Sequence, residues 1–338
     1  MKLLVLGGTM YLSKRVAALA VERGHAVTVA ARGVSGDPPD GVRVVRIDRD
    51  DPTTYDALRG ESYDAVVDVA RIPSHVGPAL AALAANAGHW TFISTCSVYA
   101  DQSTPGQRAG SAPLLEPTPL DSADPSLEVY GESKVACEHL VQRHIGERAF
   151  VLRAGLIVGP GDPIDRFGYW PSRIAAGGEV LAPHAPEGSV QFIDVRDLAT
   201  WILDGAEQGI TGTYDAICPP ITWGHFLSGI AAAVGTQPTF TWVDQDFLAA
   251  HGVNPWAGEE SLGFWLPTPE YAGFLSRDVS PSLEAGLTPR PLAETVVDWM
   301  AAQDGPPTLA ASLSREKEAE VLAAWHARTR QPTGAGAP

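Results

Sequence analysis

Over the first half of the chain, short β-branched runs alternate with stretches in which apolar residues recur every three or four positions. That alternation is the sequence form of a parallel sheet joined by crossover helices. The spacing predicts strands over about 2–6, 26–30, 42–46, 64–69, 90–94 and 148–153, and helices over about 11–23, 74–87 and 128–146. Between 101 and 127 the pattern lapses into a segment carrying Pro105, Pro113, Pro117, Pro119 and Pro125. Its length predicts a functional loop over a site, with a mobile insertion as the plainer alternative.

The second half is less regular. Gly159-Pro160-Gly161-Asp162 closes a strand, and Asp194 stands where it would cap a helix running through Leu198 and Trp201. Six of the nine tryptophans fall between 170 and 265, and most are expected to pack in a core. Arg315 to Arg328 reads as an exposed helix, and the closing Gly334 to Pro338 as disordered.

Composition narrows the class of partner. A chain of 338 residues with 45% hydrophobic content can bury one large α/β domain and a second lobe. A formal net charge of −16 argues against nucleic acid and for a small-molecule partner, since no basic stripe is present to displace phosphate counterions. Cys96, Cys137 and Cys218 are odd in number and lack Cys-x-x-Cys spacing, which fits a cytoplasmic location and no structural zinc. The apolar run after Lys2 is too short for a signal peptide or a membrane span. No His-x-x-x-His spacing points to a metal.

The first strand runs directly into Gly7-Gly8-Thr9-Met10-Tyr11-Leu12-Ser13. A strand, a tight turn and a helix start are where a dinucleotide diphosphate sits, because free N–H groups and the helix dipole favour anionic oxygens. The turn alone is a weak signal, since an ordinary strand-turn-helix reads the same way. At the end of the second strand stands Arg32, where an acidic residue would select NAD through the ribose 2'-hydroxyl; an arginine can instead pair with a 2'-phosphate, so NADP(H) is favoured over NAD(H). Asp48, just past the third strand, is a candidate acceptor for the adenine amino group.

Tyr130 and Lys134 are the most specific pair. With only four lysines and eight tyrosines, a chance Tyr-x-x-x-Lys is expected roughly 0.1 times. Hydride exchange between an alcohol and a nicotinamide needs a group that moves the hydroxyl proton. A phenol is too weak a base near neutrality unless a cation lowers its pKa, and Lys134, one helical turn along, is placed to do so and to hold the nicotinamide ribose. Thr95, ending the fifth strand, offers a hydroxyl to the substrate oxygen.

On these residues the chain resembles the short-chain dehydrogenase/reductase superfamily, in its extended branch, the NAD-dependent epimerase/dehydratase family. It is most similar to an atypical subgroup of that branch. The resemblance covers about residues 1 to 300 and rests on Gly7-Gly8-Thr9, Asp64 to Ala70, Ser94 to Tyr99, Tyr130 to Lys134, Leu152 through Asp162, and Phe192 to Ala199. It implies a Rossmann-type doubly wound parallel sheet over 1–160. A smaller substrate lobe over 161–305, partly interleaved with it, would follow, then a linker, helix and tail over 306–338. Thr95, Tyr130 and Lys134 would be catalytic, and Gly7, Gly8, Thr9, Met10, Tyr11, Arg32, Asp48, Ala70 and Lys134 would hold the cofactor. A homodimer is compatible with this class.

Departures from the family pattern narrow the chemistry. Cys96-Ser97 replaces the Asp-Glu that follows the threonine in sugar dehydratases, so elimination lacks its acid and base. Leu156 and Val190 stand where nucleotide-sugar enzymes carry an asparagine and an arginine. Met10 and Ser13 replace glycines of the turn. Arg166, Tyr169 and Trp170 are nominated as substrate residues, with Cys96 beside Thr95; the alternatives are a lobe interface for the aromatics and a buried filler for the cysteine. The reading is an NADP(H)-dependent oxidoreductase acting on a carbonyl or secondary alcohol of a small metabolite. A sugar epimerase, or a non-catalytic dinucleotide- or RNA-binding relative, is the alternative.

Overall fold

The computed structural model describes residues 1–183 and 185–330; the tail expected to be disordered lies outside them. Seven parallel strands form the central sheet: β1 (Lys2–Leu6), β2 (Ala26–Ala31), β3 (Arg43–Arg46), β4 (Tyr63–Asp68), β5 (Ala87–Thr95), β6 (Ala149–Ala154) and β7 (Gly212–Ala216). Their order is β7-β6-β5-β4-β1-β2-β3. β1 therefore has β2 on one side, with Leu4 opposite Thr28, and β4 on the other, with Leu4 opposite Val66. The connections change direction at β1, which opens a crevice at the carboxyl ends of β1 and β4, the place where ligands bind in such sheets.

Both faces of the sheet are buried over β1, β2 and β4 to β6, which explains why those strands read as near-continuous apolar runs. Leu3 and Val5 pack with Val16 and Ala20 of α1 (Tyr11–Glu22) and with Leu198 and Ile202 of α4 (Val195–Gln208). Leu4 and Leu6 face the other way, onto Val76 and Leu80 of α2 (Pro73–Leu83) and Cys137 and Val141 of α3 (Tyr130–Ile145). Asp194 caps α4 by accepting from the Arg196 amide, as its position predicted.

The chain divides into two compact units. The first comprises Met1–Ile157, Gln191–Pro219 and Ser276–Pro289, and the second Val158–Val190, Pro220–Leu275 and Arg290–Pro338. The segment between Tyr99 and α3 belongs to the first unit and is tied to it by Gly106 N–H to Ser276 C=O, Asp278 N–H to Gln107 C=O and Ser74 N–H to Ser122 C=O. In the second unit Phe167, Trp170, Phe226, Phe264 and Trp299 are fully buried, and Arg173 pairs with Glu318 at 2.6 Å. A parallel strand pair, Glu179–Pro183 with Thr239–Val243, and a terminal helix over Arg315–Arg330 complete it. Among the described residues no helix is long and apolar enough to cross a membrane.

Candidate active site

The turn after β1 depends on backbone that only glycine adopts easily. Gly7 has φ +121° and Gly8 φ +90°, and a Cβ on Gly8 would lie 2.7 Å from Val29 Cγ2. Tyr11, the first residue of α1, has φ +28°, a conformation that costs an L-residue of order 1 kcal/mol. No side chain caps α1, and its first turn contains no acidic residue, so this end presents no negative charge of its own to an anion.

The two departures from the glycine pattern are resolved differently. Ser13 is buried and ties the turn: its hydroxyl accepts from the Gly8 amide at 3.0 Å and donates to the Met10 carbonyl at 2.8 Å. Met10 is 46% exposed, so its bulk is accommodated in solvent at the mouth of the crevice.

Two cavities of about 360 Å³ each open along the carboxyl ends of the strands. The first is walled by Gly7, Thr9 and Met10, by Arg32 and Asp48 beyond β2 and β3, and by Ala70 beyond β4. The second is walled by Met10, Tyr11, Thr95, Tyr130 and Lys134. Ser13, Val69, Met10 and Arg71 line both. Thr95, Tyr130 and Lys134, which arise from the ends of β5 and the start of α3, thus meet in one cavity adjoining the glycine turn.

Their electrostatics differ from expectation in one respect. Lys134 is 2% exposed, with its Nζ donating to Ala70 C=O at 2.7 Å and to Ile93 C=O and lying 4.3 Å from the centre of the Phe92 ring. Burial pulls its pKa down to about 8. The Tyr130 phenol is raised, not lowered: burial dominates, while the Thr95 hydroxyl and the charge of Arg71 act weakly in the opposite direction. The Thr95 hydroxyl also accepts from the Ser97 amide at 3.2 Å, which fixes its rotamer. Behind Thr95, the Ser94 hydroxyl and Arg153 both donate to Glu138, one turn beyond Lys134; the two guanidinium bonds measure 3.0 and 2.7 Å.

The remaining nominees are placed less favourably. Arg32 is half exposed and lies 3.7 Å from Asp50. Asp48 accepts from the Asp50 amide. Cys96 does not line either cavity: it is 1% exposed, its thiol donates to the Arg153 carbonyl, and burial raises its pKa, so it is a filler. Tyr169 and Trp170 are likewise core residues, not pocket walls; Trp170 is fully buried among Tyr169 and Trp223, with its indole N–H on Gly263 C=O. Arg166 lies over the Trp256 ring, 4.7 Å from its centre. Sequence reasoning passed over Arg71, and read Ser13 only as a replaced glycine. A signal for Arg71 existed, since it directly follows Ala70 at the end of the strand beside β1.

A doubly wound sheet with a glycine turn beside a Thr-Tyr-Lys wall defines a class of nicotinamide-dependent enzyme. The chain belongs to the NAD dependent epimerase/dehydratase family, whose profile matches residues 3–214, and is an enzyme of the short-chain dehydrogenase/reductase type. It is 31% identical over 249 residues to the 2'-dehydrokanamycin reductase of Streptomyces kanamyceticus, covering 70% of this chain and 67% of that protein. The fold is also similar to that of UDP-N-acetylglucosamine 4-epimerase from Bacillus cereus, with a TM-score of 0.63, 18% identity and coverage of 90% and 100% of the two chains. The Bordetella bronchiseptica enzyme WbmH, solved in complex with NAD+, gives 0.59, 18%, 89% and 98%.

Proposed function

We propose that the protein is an NADP(H)-dependent oxidoreductase that transfers a hydride to or from a carbonyl or secondary alcohol of a small metabolite, with reduction as the favoured direction. The observation that carries this reading is the single cavity walled by Thr95, Tyr130 and Lys134 and continuous in its lining with the glycine turn. The residues fit the dinucleotide. The turn Gly7-Gly8-Thr9-Met10-Tyr11 with the uncapped start of α1 would hold the diphosphate, Asp48 the adenine amino group, Arg32 the 2'-phosphate, and Lys134 with the Ala70 segment the nicotinamide ribose. When bound, the dinucleotide supplies or accepts the hydride.

The chain's own part is proton transfer and orientation. A phenol whose pKa is raised keeps its proton at neutral pH, so Tyr130 is poised to give that proton to the carbonyl oxygen as the carbon is reduced. Thr95 would donate to the same oxygen from a hydroxyl already fixed by Ser97. The similar 2'-dehydrokanamycin reductase supports reduction over epimerisation and makes ketones of saccharides the first substrates to try. Three buried free thiols are consistent with a cytoplasmic enzyme.

The test is a panel of such ketones with NADPH followed at 340 nm. One NADPH consumed for each ketone reduced supports the reading; conversion without net NADPH consumption contradicts it in favour of epimerisation.

A further inference from the structure

The crevice carries a charge that the glycine-turn pattern does not account for. Its cationic side chains are nearly all engaged: Arg32 pairs with Asp50, Arg49 with Asp68 at 2.8 Å, His75 with Asp50 at 2.8 Å, and Lys134 donates to two carbonyls. Arg71 differs. Among the described residues it makes no hydrogen bond or ion pair, it is exposed, and it lines both cavities where they join. Its charge reaches far enough to act on the Tyr130 phenol. It is the third residue past β4, the strand paired with β1.

The turn's first two amides are used inside the fold, Gly7 N–H on Ala30 C=O and Gly8 N–H on the Ser13 hydroxyl. A diphosphate beside the turn is left with the amides beyond Gly8, and a guanidinium on the opposite wall adds a charged, two-pronged donor. We infer that Arg71 holds the cofactor diphosphate from the β4 side, opposite the glycine turn. The inference rests on the dinucleotide reading above and assigns a residue that the turn alone does not predict.

Calorimetric titration of ADP-ribose, which has the diphosphate but no nicotinamide, tests it, with adenosine 2'-monophosphate as a probe lacking the diphosphate. Arg71→Ala is expected to weaken ADP-ribose and NADPH by about 10- to 100-fold, the range for a lost charged hydrogen bond. Adenosine 2'-monophosphate should bind within twofold of wild type, and Arg71→Lys should recover part of the loss. Because Arg71 is exposed, an unchanged melting temperature is expected. If wild type binds ADP-ribose and Arg71→Ala binds it within twofold, the diphosphate assignment is overturned while the dinucleotide reading stands. If wild type binds neither ADP-ribose nor NADPH, the dinucleotide reading fails and this inference with it.

Discussion

The glycine turn and the Thr95–Tyr130–Lys134 wall meet across Met10 and Ser13, yet they are made by different means. The turn is a backbone construction, its path held by positive φ at Gly7 and Gly8. The wall is a side-chain construction, with Lys134 buried against two carbonyls and the Thr95 hydroxyl held by the Ser97 amide. A backbone site tolerates altered side chains that point away or tie the turn, as Met10 and Ser13 do. A side-chain site has no such slack, since in the proposed reaction each group there is the acting atom.

That contrast can be broken from either side, and the wall should yield first. Tyr130→Phe is predicted to lower turnover by about 10²- to 10⁴-fold while leaving the NADPH dissociation constant within twofold, measured by steady-state kinetics and calorimetry. Retained turnover would remove the proton-transfer role.

Lys134 gives the next effect, read as stability against pH. Its folded pKa of about 8 lies below the ordinary 10.5, so between those values the unfolded chain binds the extra proton and stability rises with pH. In urea unfolding, wild type minus Lys134→Met should therefore rise by on the order of 2 to 3 kcal/mol from pH 8 to 10.5. A flat difference would mean that the ammonium is not buried as described.

On the turn side, Gly8→Ala places a Cβ against Val29 at a φ that alanine resists, and should cost about 1 to 3 kcal/mol by the same unfolding assay. Full stability in that variant would show that the turn is not held in this conformation. The smallest effect belongs to Arg32→Ala, predicted to reduce the NADPH over NADH preference by about tenfold. An unchanged preference would reassign the 2'-phosphate contact.

The contrast also explains what was legible in the sequence. Strands β1, β2 and β4 to β6 could be read because burial on both faces demands apolar runs, exposed β3 through its β-branched Val44-Val45, and Tyr130 and Lys134 because one helical turn links them. β7 was missed: Gly-Thr-Tyr-Asp-Ala at the sheet edge carries a glycine and an aspartate and no apolar run. Tyr169 and Trp170 looked like pocket residues because aromatic character is the same in a core as in a binding wall. Nothing local told that Lys134 would reach Ala70 and Ile93, which lie 64 and 41 residues away in the chain. Nor could the sequence reveal that the Ser13 hydroxyl ties the turn or that burial outweighs neighbouring charge at Tyr130.

The central claim is that the crevice at the carboxyl ends of β1 and β4 receives a nicotinamide dinucleotide. Calorimetric titration of wild-type protein with NADPH and NADH tests it most directly. One saturable site per chain is predicted, with a dissociation constant below about 100 μM for NADPH and a weaker one for NADH. No saturable heat from either nucleotide at millimolar concentration would contradict the account.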